Sequence, residues 1–226
     1  MELKHSLLTI QKGELTTCGG SQMLSENKTM RHCGCGVVSA MDVLEYLHRC
    51  HADGRSGFFA GAPDSGQFTW AQYEPYAERL RRKYLPLFYP VGMNGLELAE
   101  GMNRYFRRFS LPYRARWSAP RGTLWQSMEA MLAQDIPVIL SIGVGFPNLW
   151  HKHRLAFYCR GADGTYRRAA DACSHYVTAT ALTDEWIRIA SWGREYYISR
   201  KEFSEHVKND SRELLSNIVY IRKRGV

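Results

Sequence analysis

Arg31-His-Cys-Gly-Cys-Gly-Val-Val-Ser-Ala-Met-Asp-Val-Leu-Glu-Tyr-Leu47 sets two cysteines and two glycines directly before an amphipathic helical pattern. Val37, Val38, Met41, Leu44 and Leu47 recur at helical spacing, which starts the helix near Cys35. A thiol at a helix start meets the positive end of the helix dipole and unpaired backbone N–H groups. Both favour the thiolate, the nucleophilic form. A neighbouring glycine lets a substrate carbonyl approach the backbone. Cys35 is therefore a candidate nucleophile, provided that a histidine reaches it from elsewhere in the chain. The bland alternative is a small, half-buried structural cysteine.

A matching histidine lies 140 residues later. Asp171-Ala-Cys-Ser-His-Tyr-Val-Thr-Ala-Thr-Ala-Leu182 reads as a strand opening at His175, with Tyr176, Val177, Thr178 and Thr180 as strand formers. A second strand over Glu185–Ala190, the turn Ser191-Trp-Gly193, a strand over Tyr196–Ser199 and a short helix from Arg200 follow. A nucleophile on an early helix and a base on a late strand is the order expected of a papain-type cysteine enzyme.

Cys35-Gly-Val-Val-Ser-Ala-Met-Asp-Val-Leu44 resembles the nucleophile helix of papain-like cysteine peptidases, most closely the bacteriocin-leader-processing (double-glycine) branch. His175-Tyr-Val, followed by a strand and a Trp-Gly turn, is similar to that branch's histidine strand. Ser191-Trp-Gly193 also resembles the Ser-Trp-Gly turn after the orienting asparagine of papain-like enzymes. The resemblance covers roughly residues 20–50 and 136–205 and leaves the middle unmatched. It implies an α+β fold with an N-terminal helical lobe, about 1–134, and a C-terminal, mainly antiparallel sheet lobe, about 135–226, in one domain. It also implies a bacterial thiol hydrolase without a cofactor.

The chain departs from that pattern in three places. The orienting Asp or Asn falls near Ala190 or Ser191, where alanine has no group to offer and serine only a hydroxyl; Asp171 or Asp184 are the substitutes. The family places an oxyanion-hole glutamine shortly before its cysteine, but position 29 is Thr29. The nearest glutamine, Gln22, stands thirteen residues before Cys35 and needs a loop over 23–34 to deliver it. Third, Cys33 competes with Cys35, and a disulfide between the two requires strained geometry. The residues assigned to the chemistry are thus Cys35, His175, Gln22 and Ser191.

Composition sets the bounds. The 226 residues suit one domain with a sizeable core, and 45% hydrophobic residues exclude a disordered chain. The longest apolar run, Ile136 to Val144, is interrupted by Pro137, Ser141 and Gly143, so no membrane span is expected. The N-terminal residues show no secretory pattern, so the chain reads as cytoplasmic with its six cysteines reduced.

Along the chain, residues 5–11 suggest a strand, 13–34 a loop, and 53–67 a long Gly-, Ser- and Pro-containing loop. Thr69 caps a helix through Tyr84, and Asn94 caps another through Phe109. Leu111 to Trp117 alternates like a strand, Thr123 to Asp135 is helical, and Ile136 to Ile142 is a buried strand. Leu155–Arg160, Ser174–Leu182 and Leu214–Ile221 complete the sheet.

The formal charge of +8 is spread over Arg79–Lys83, Arg104–Arg108, Arg167-Arg168 and Arg222–Arg224. Solvated helix faces are the plain reading; an anionic partner (an acidic peptide substrate, a phosphate-bearing ligand or nucleic acid) is the sharper one, and no nucleic-acid motif accompanies the arginines. Cys33, Cys35, His48, Cys50 and His51, with His151 and His153, offer metal ligands. However, Cys33-x-Cys35 is too tight for a zinc knuckle, and His48 lies about 20 Å along the helix from Cys35. No metal is expected. The reading is a hydrolase of a peptide or related amide, with an acyl transferase or a non-catalytic binding protein on the same scaffold as alternatives. The sequence leaves oligomeric state open.

Overall fold

A side chain at position 34 would collide with the Met30 carbonyl, and glycine there lets two helices meet end to end. The first, α1, spans Lys28–Cys33, and the second, α2, spans Cys35–Cys50. The computed structural model describes residues 1–144 and 153–224. His151 lies outside them. The loop expected over 13–34 is corrected by α1 and by a 3-10 turn over Gln22–Leu24. Asn27 creates α1: its side-chain oxygen accepts from the N–H groups of Thr29 and Met30, at 2.9 and 3.3 Å.

Helix α2 begins at Cys35, but it is not amphipathic in its surroundings. Every residue from Gly36 to Leu47 is buried, including Asp42 and Glu45. Glu45 is neutralised one turn on by Arg49, at 2.8 Å. Such an enclosed helix forms the middle of the molecule, with a sheet on one side and helices and loops on the others.

Two further helices follow the capping expectations. Helix α3, Trp70–Lys83, and helix α4, Gly95–Arg108, each start with a complete capping box, Thr69 with Gln72 and Asn94 with Glu97. Their arginines are largely occupied. Arg81 and Arg82 pair with Glu78, Arg107 pairs with Glu100, and Arg104 donates to the Tyr84 carbonyl.

Strands β1 (Thr9–Lys12), β2 (Leu15–Thr16) and β3 (Gln67–Thr69) form a small sheet in the order β2-β1-β3. The main sheet comprises β4 (Tyr113–Trp117), β5 (Val138–Ile142), β6 (Leu155–Arg160), β7 (Tyr166–Ala172), β8 (His175–Leu182), β9 (Trp186–Ser191), β10 (Arg194–Ser199) and β11 (Ile218–Lys223). Their order is β4-β11-β5-β8-β9-β10-β6-β7, antiparallel throughout. Helix α5, Leu124–Ala133, packs on β11, β5 and β8, and α6, Arg200–Asn209, packs on β10 and β6.

The architecture is α+β with one large antiparallel sheet. The division near residue 134 does not separate it cleanly, because β4 pairs with β11 along its whole length. Strand β7 had no counterpart in the sequence reading; as an edge strand it is mostly exposed and lacks a sustained apolar alternation. At the other edge, the Asn103 amide donates to the Ala115 carbonyl and accepts from its N–H, both at 2.8 Å, which covers the open side of β4. Among the described residues, no helix is long and apolar enough to cross a membrane.

Helix α4 approaches the preceding chain at Gly101, where a Cβ would stand 2.5 Å from the Tyr84 carbonyl oxygen. Alanine gains about 1 kcal/mol of helix propensity over glycine, while overpacking against rigid backbone costs about 1–3 kcal/mol. Gly101→Ala is therefore expected to lower unfolding stability by up to about 2 kcal/mol in urea titration. A more stable variant would show that the close approach is absent.

Candidate active site

Cys35 is the first residue of α2, and His175 is the first residue of β8. The register places His175 opposite Ile142 of β5, with β8 lying against α2. This crossing brings the thiol beside the backbone N–H of Tyr176, the residue after the histidine. Cys35, His175, Gln22, His32, Cys33, Tyr176 and the Pro90–Met93 segment line one cavity of about 370 Å³. A smaller gap beneath it is lined by Cys35, Gln22, His175, Ser191, Trp192 and Asp42. All four residues assigned from the sequence thus converge.

Gln22 reaches the site because α1 and the 3-10 turn fill the thirteen-residue interval. Its Nε2 donates to the Arg31 carbonyl at 3.0 Å, and an amide nitrogen carries a second hydrogen. Ser191 does meet the histidine: its Oγ lies 2.8 Å from His175 Nε2. The substitutes are removed. Asp171 is paired with Arg154 and Arg168. Asp184 lies beyond the far end of β8, about 23 Å of strand away from His175.

The Ser191-Trp-Gly193 turn read from the sequence supplies a contact that the sequence did not announce, that of Trp192 with His175. The Trp192 ring stacks on the imidazole, with centroids 4.6 Å apart and planes at 18°. Trp192 and Gly193 both have positive φ, 49° and 77°, the geometry of a two-residue hairpin turn between β9 and β10. The turn is fastened by a bond from Cys18 N–H to the Gly193 carbonyl, 2.8 Å.

Cys33 is a free thiol, as is Cys35. Its Sγ donates to the Thr29 carbonyl, one turn back in α1, at 3.1 Å. It shares the cavity but lacks the helix-start position of Cys35.

Charge at the site runs against the expectation of a ready-made thiolate. Burial pushes the Cys35 thiol up, and backbone N–H groups of Tyr176 and Gly36 only partly counter it. Burial also drives His175 down to about 4. Both shifts favour the uncharged thiol and uncharged imidazole at neutral pH, so desolvation overrides the helix-dipole effect.

An adjoining cavity of about 400 Å³ shares Val91, Met93, Ser174, His175 and Tyr176, and extends to Leu96, Trp117, Leu214 and Leu215. Val91, Leu96 and Leu214 are exposed at 86%, 68% and 65%, so the cleft has an apolar rim. Among the described residues, no lysine or arginine lines either cavity, so none of them supplies a cation for the anionic substrate expected from the sequence. Among the described residues, no group of three or more His, Cys, Asp or Glu side chains is arranged to hold a metal. His48 Nδ1 accepts from the Ser56 N–H at 3.0 Å, and His51 Nε2 lies 2.8 Å from the Asp135 carbonyl.

Compared with protein-family models, with curated proteins and with solved structures, the chain matches none.

The depressed His175 pKa carries a stability consequence. The folded state resists protonation that the unfolded chain accepts from pH 6.5 downward. The unfolded state therefore binds more protons between pH 6.5 and about 4, and stability falls as pH falls through that window. The full loss is about 3 kcal/mol. Urea unfolding of His175→Gln should show a shallower acid-side decline than the wild type by about that amount. Parallel pH slopes would mean that His175 titrates as an ordinary imidazole.

Proposed function

We propose that the chain is a papain-like cysteine hydrolase that cleaves a peptide or related amide. The observation that carries this reading is the meeting of Cys35, at a helix start, with His175 in one cavity, the imidazole being held through Nε2 by Ser191 under Trp192. With Nε2 occupied, Nδ1 is the ring nitrogen left to serve as base. In this tautomer Nε2–H donates to Ser191 Oγ.

In the proposed mechanism the Cys35 thiol gives its proton to His175 Nδ1 as sulfur bonds to the substrate carbonyl carbon. The Cys35 backbone N–H and the free Gln22 hydrogen face the developing oxyanion. The carbon–nitrogen bond then breaks, and the imidazolium protonates the departing amine. A water, deprotonated by His175, attacks the thioester and releases the acid, which restores the thiol. An amine in place of that water gives acyl transfer on the same residues. The apolar rim suits substrates with bulky uncharged side chains beside the cleaved bond.

The upward shift of the thiol and the low pKa of His175 also suit a second reading, a non-catalytic protein that binds peptides in this cleft. The two readings separate in a labelling experiment. Cys35→Ala and His175→Ala each abolish turnover or active-site labelling with folding intact, and Cys33→Ser keeps both. Activity surviving in either of the first two sinks the hydrolase assignment, and loss in Cys33→Ser moves the nucleophile.

The pH profile of the active enzyme follows from the burial of its base. His175 accepts a proton only while neutral, so the acid limb is expected near pH 4 instead of near 6.5. An acid limb that stays near 6.5 would show that the imidazole is not desolvated in the working enzyme.

A further inference from the structure

Asp42 takes no part in the mechanism above, yet it is 2% exposed and lines the gap directly beneath Cys35, Gln22 and His175. It stands two helical turns beyond Cys35, on the same face of α2. Its Oδ1 accepts from the Gly20 N–H at 2.8 Å, and its Oδ2 accepts from Thr178 Oγ1 at 3.1 Å. Among the described residues, no cation pairs with it. A carboxyl kept in the core without a cation is costly, and packing alone would be served better by an apolar side chain.

The two partners have unequal freedom. Thr178 belongs to β8, which is laddered to β5 on one side and β9 on the other. Gly20 belongs to the connection that leads, two residues later, to Gln22. This connection is shaped around the carboxyl. Gly19 has φ +71°, and a Cβ there would stand 3.0 Å from Asp42 Oδ2; a Cβ on Gly20 would meet Val38 at 2.7 Å and the Tyr73 hydroxyl.

We propose that Asp42, anchored to the sheet by Thr178, is a positioning residue that holds the Gly19–Gly20 connection and so aims the Gln22 amide at the oxyanion. The proposal rests on the cysteine-hydrolase reading and adds to it the origin of the oxyanion donor's placement. Other groups facing the carboxyl are Glu45, one turn on and paired with Arg49, Cys18 from the loop, and Tyr73 of α3, whose buried hydroxyl has no hydrogen-bond partner among the described residues. Burial pushes the Asp42 carboxyl up to about 7, which makes a neutral amide a fair mimic of its protonated form.

The test compares two probes of Cys35. Iodoacetamide reads the thiol and its base, whereas a peptide aldehyde such as acetyl-phenylalaninal forms a hemithioacetal whose oxygen needs the oxyanion donors. Asp42→Ala is expected to weaken the aldehyde adduct about tenfold or more, as Gln22→Ala does, with alkylation within about twofold of wild type. The double variant should be no weaker than Gln22→Ala alone, because both changes remove one interaction. Asp42→Asn, which keeps an acceptor for Gly20, should restore binding to within about threefold of wild type.

Should Asp42→Ala fail to fold, Thr178→Val removes only the anchoring hydroxyl and should weaken the adduct in the same direction. Additive losses in the double variant, or an unchanged aldehyde affinity in Asp42→Ala or Thr178→Val, overturn the positioning role. A wild type that binds no aldehyde, with Cys35 alkylation indifferent to His175→Ala, overturns the hydrolase reading itself and takes the positioning role with it.

Discussion

The enclosure of α2 is the constraint on which the rest depends. A helix buried from Gly36 to Leu47 has no solvent-facing side on which to slide or rotate. Its first residue is therefore fixed relative to the sheet, and Cys35 is that residue. Enclosure also dictates the fate of its two acids. Glu45 takes Arg49 from its own helix, while Asp42 takes donors from the loop and from β8. The second solution links three separate stretches of chain through one carboxyl, and those stretches carry Gln22, Cys35 and His175.

The same enclosure reverses the electrostatic expectation for Cys35. A helix N-terminus contributes about 0.3–1 kcal/mol toward an anion at ordinary exposure. Desolvation of a thiolate costs more than that when its surroundings are Met93, Tyr176 and the body of the helix. His175 meets the same penalty from the other sign of charge. In the proposed mechanism a resting pair without charges still serves general-base chemistry, since the proton moves as the carbon–sulfur bond forms and charge separation is confined to the moment of attack.

Much of this arrangement is legible in the chain because its signals are local. Cys35 as a helix start, Thr69 and Asn94 as caps, and the strands Leu155–Arg160 and His175–Leu182 each follow from short-range periodicity or capping chemistry. Helix α1 escaped that reading because it is one and a half turns long and owes its existence to the Asn27 cap. Strand β7 escaped because edge strands carry little apolar alternation. In the site, Cys35, His175, Gln22 and Ser191 were each identifiable by type and order, but their convergence rests on register and on the route of residues 23–34. Asp42 did leave a trace: a carboxyl seven residues after Cys35 on the same helical face. Trp192 was legible as part of the Ser191-Trp-Gly193 turn, but its stacking on His175 was not, because that depends on a turn conformation with positive φ at a bulky residue.

Serine at position 191 changes how the imidazole is held, and it explains why Trp192 matters. A carboxylate or carboxamide reaches the ring with a planar group that restrains its tilt as well as its position. A hydroxyl offers one atom that rotates about a single bond, so the Ser191 bond at 2.8 Å fixes where Nε2 lies but not the plane of the ring. The plane is set by Trp192, which lies nearly parallel to the imidazole and is itself backed by Phe157 at 5.5 Å. The backbone direction is set by the Ile142–His175 pairing at the mouth of the sheet. Position, plane and direction thus come from three neighbours on β9, the following turn and β5. Under the proposed cysteine-hydrolase reading, the orientation of the imidazole is distributed over the hairpin of Ser191-Trp192-Gly193 and the strand beside it.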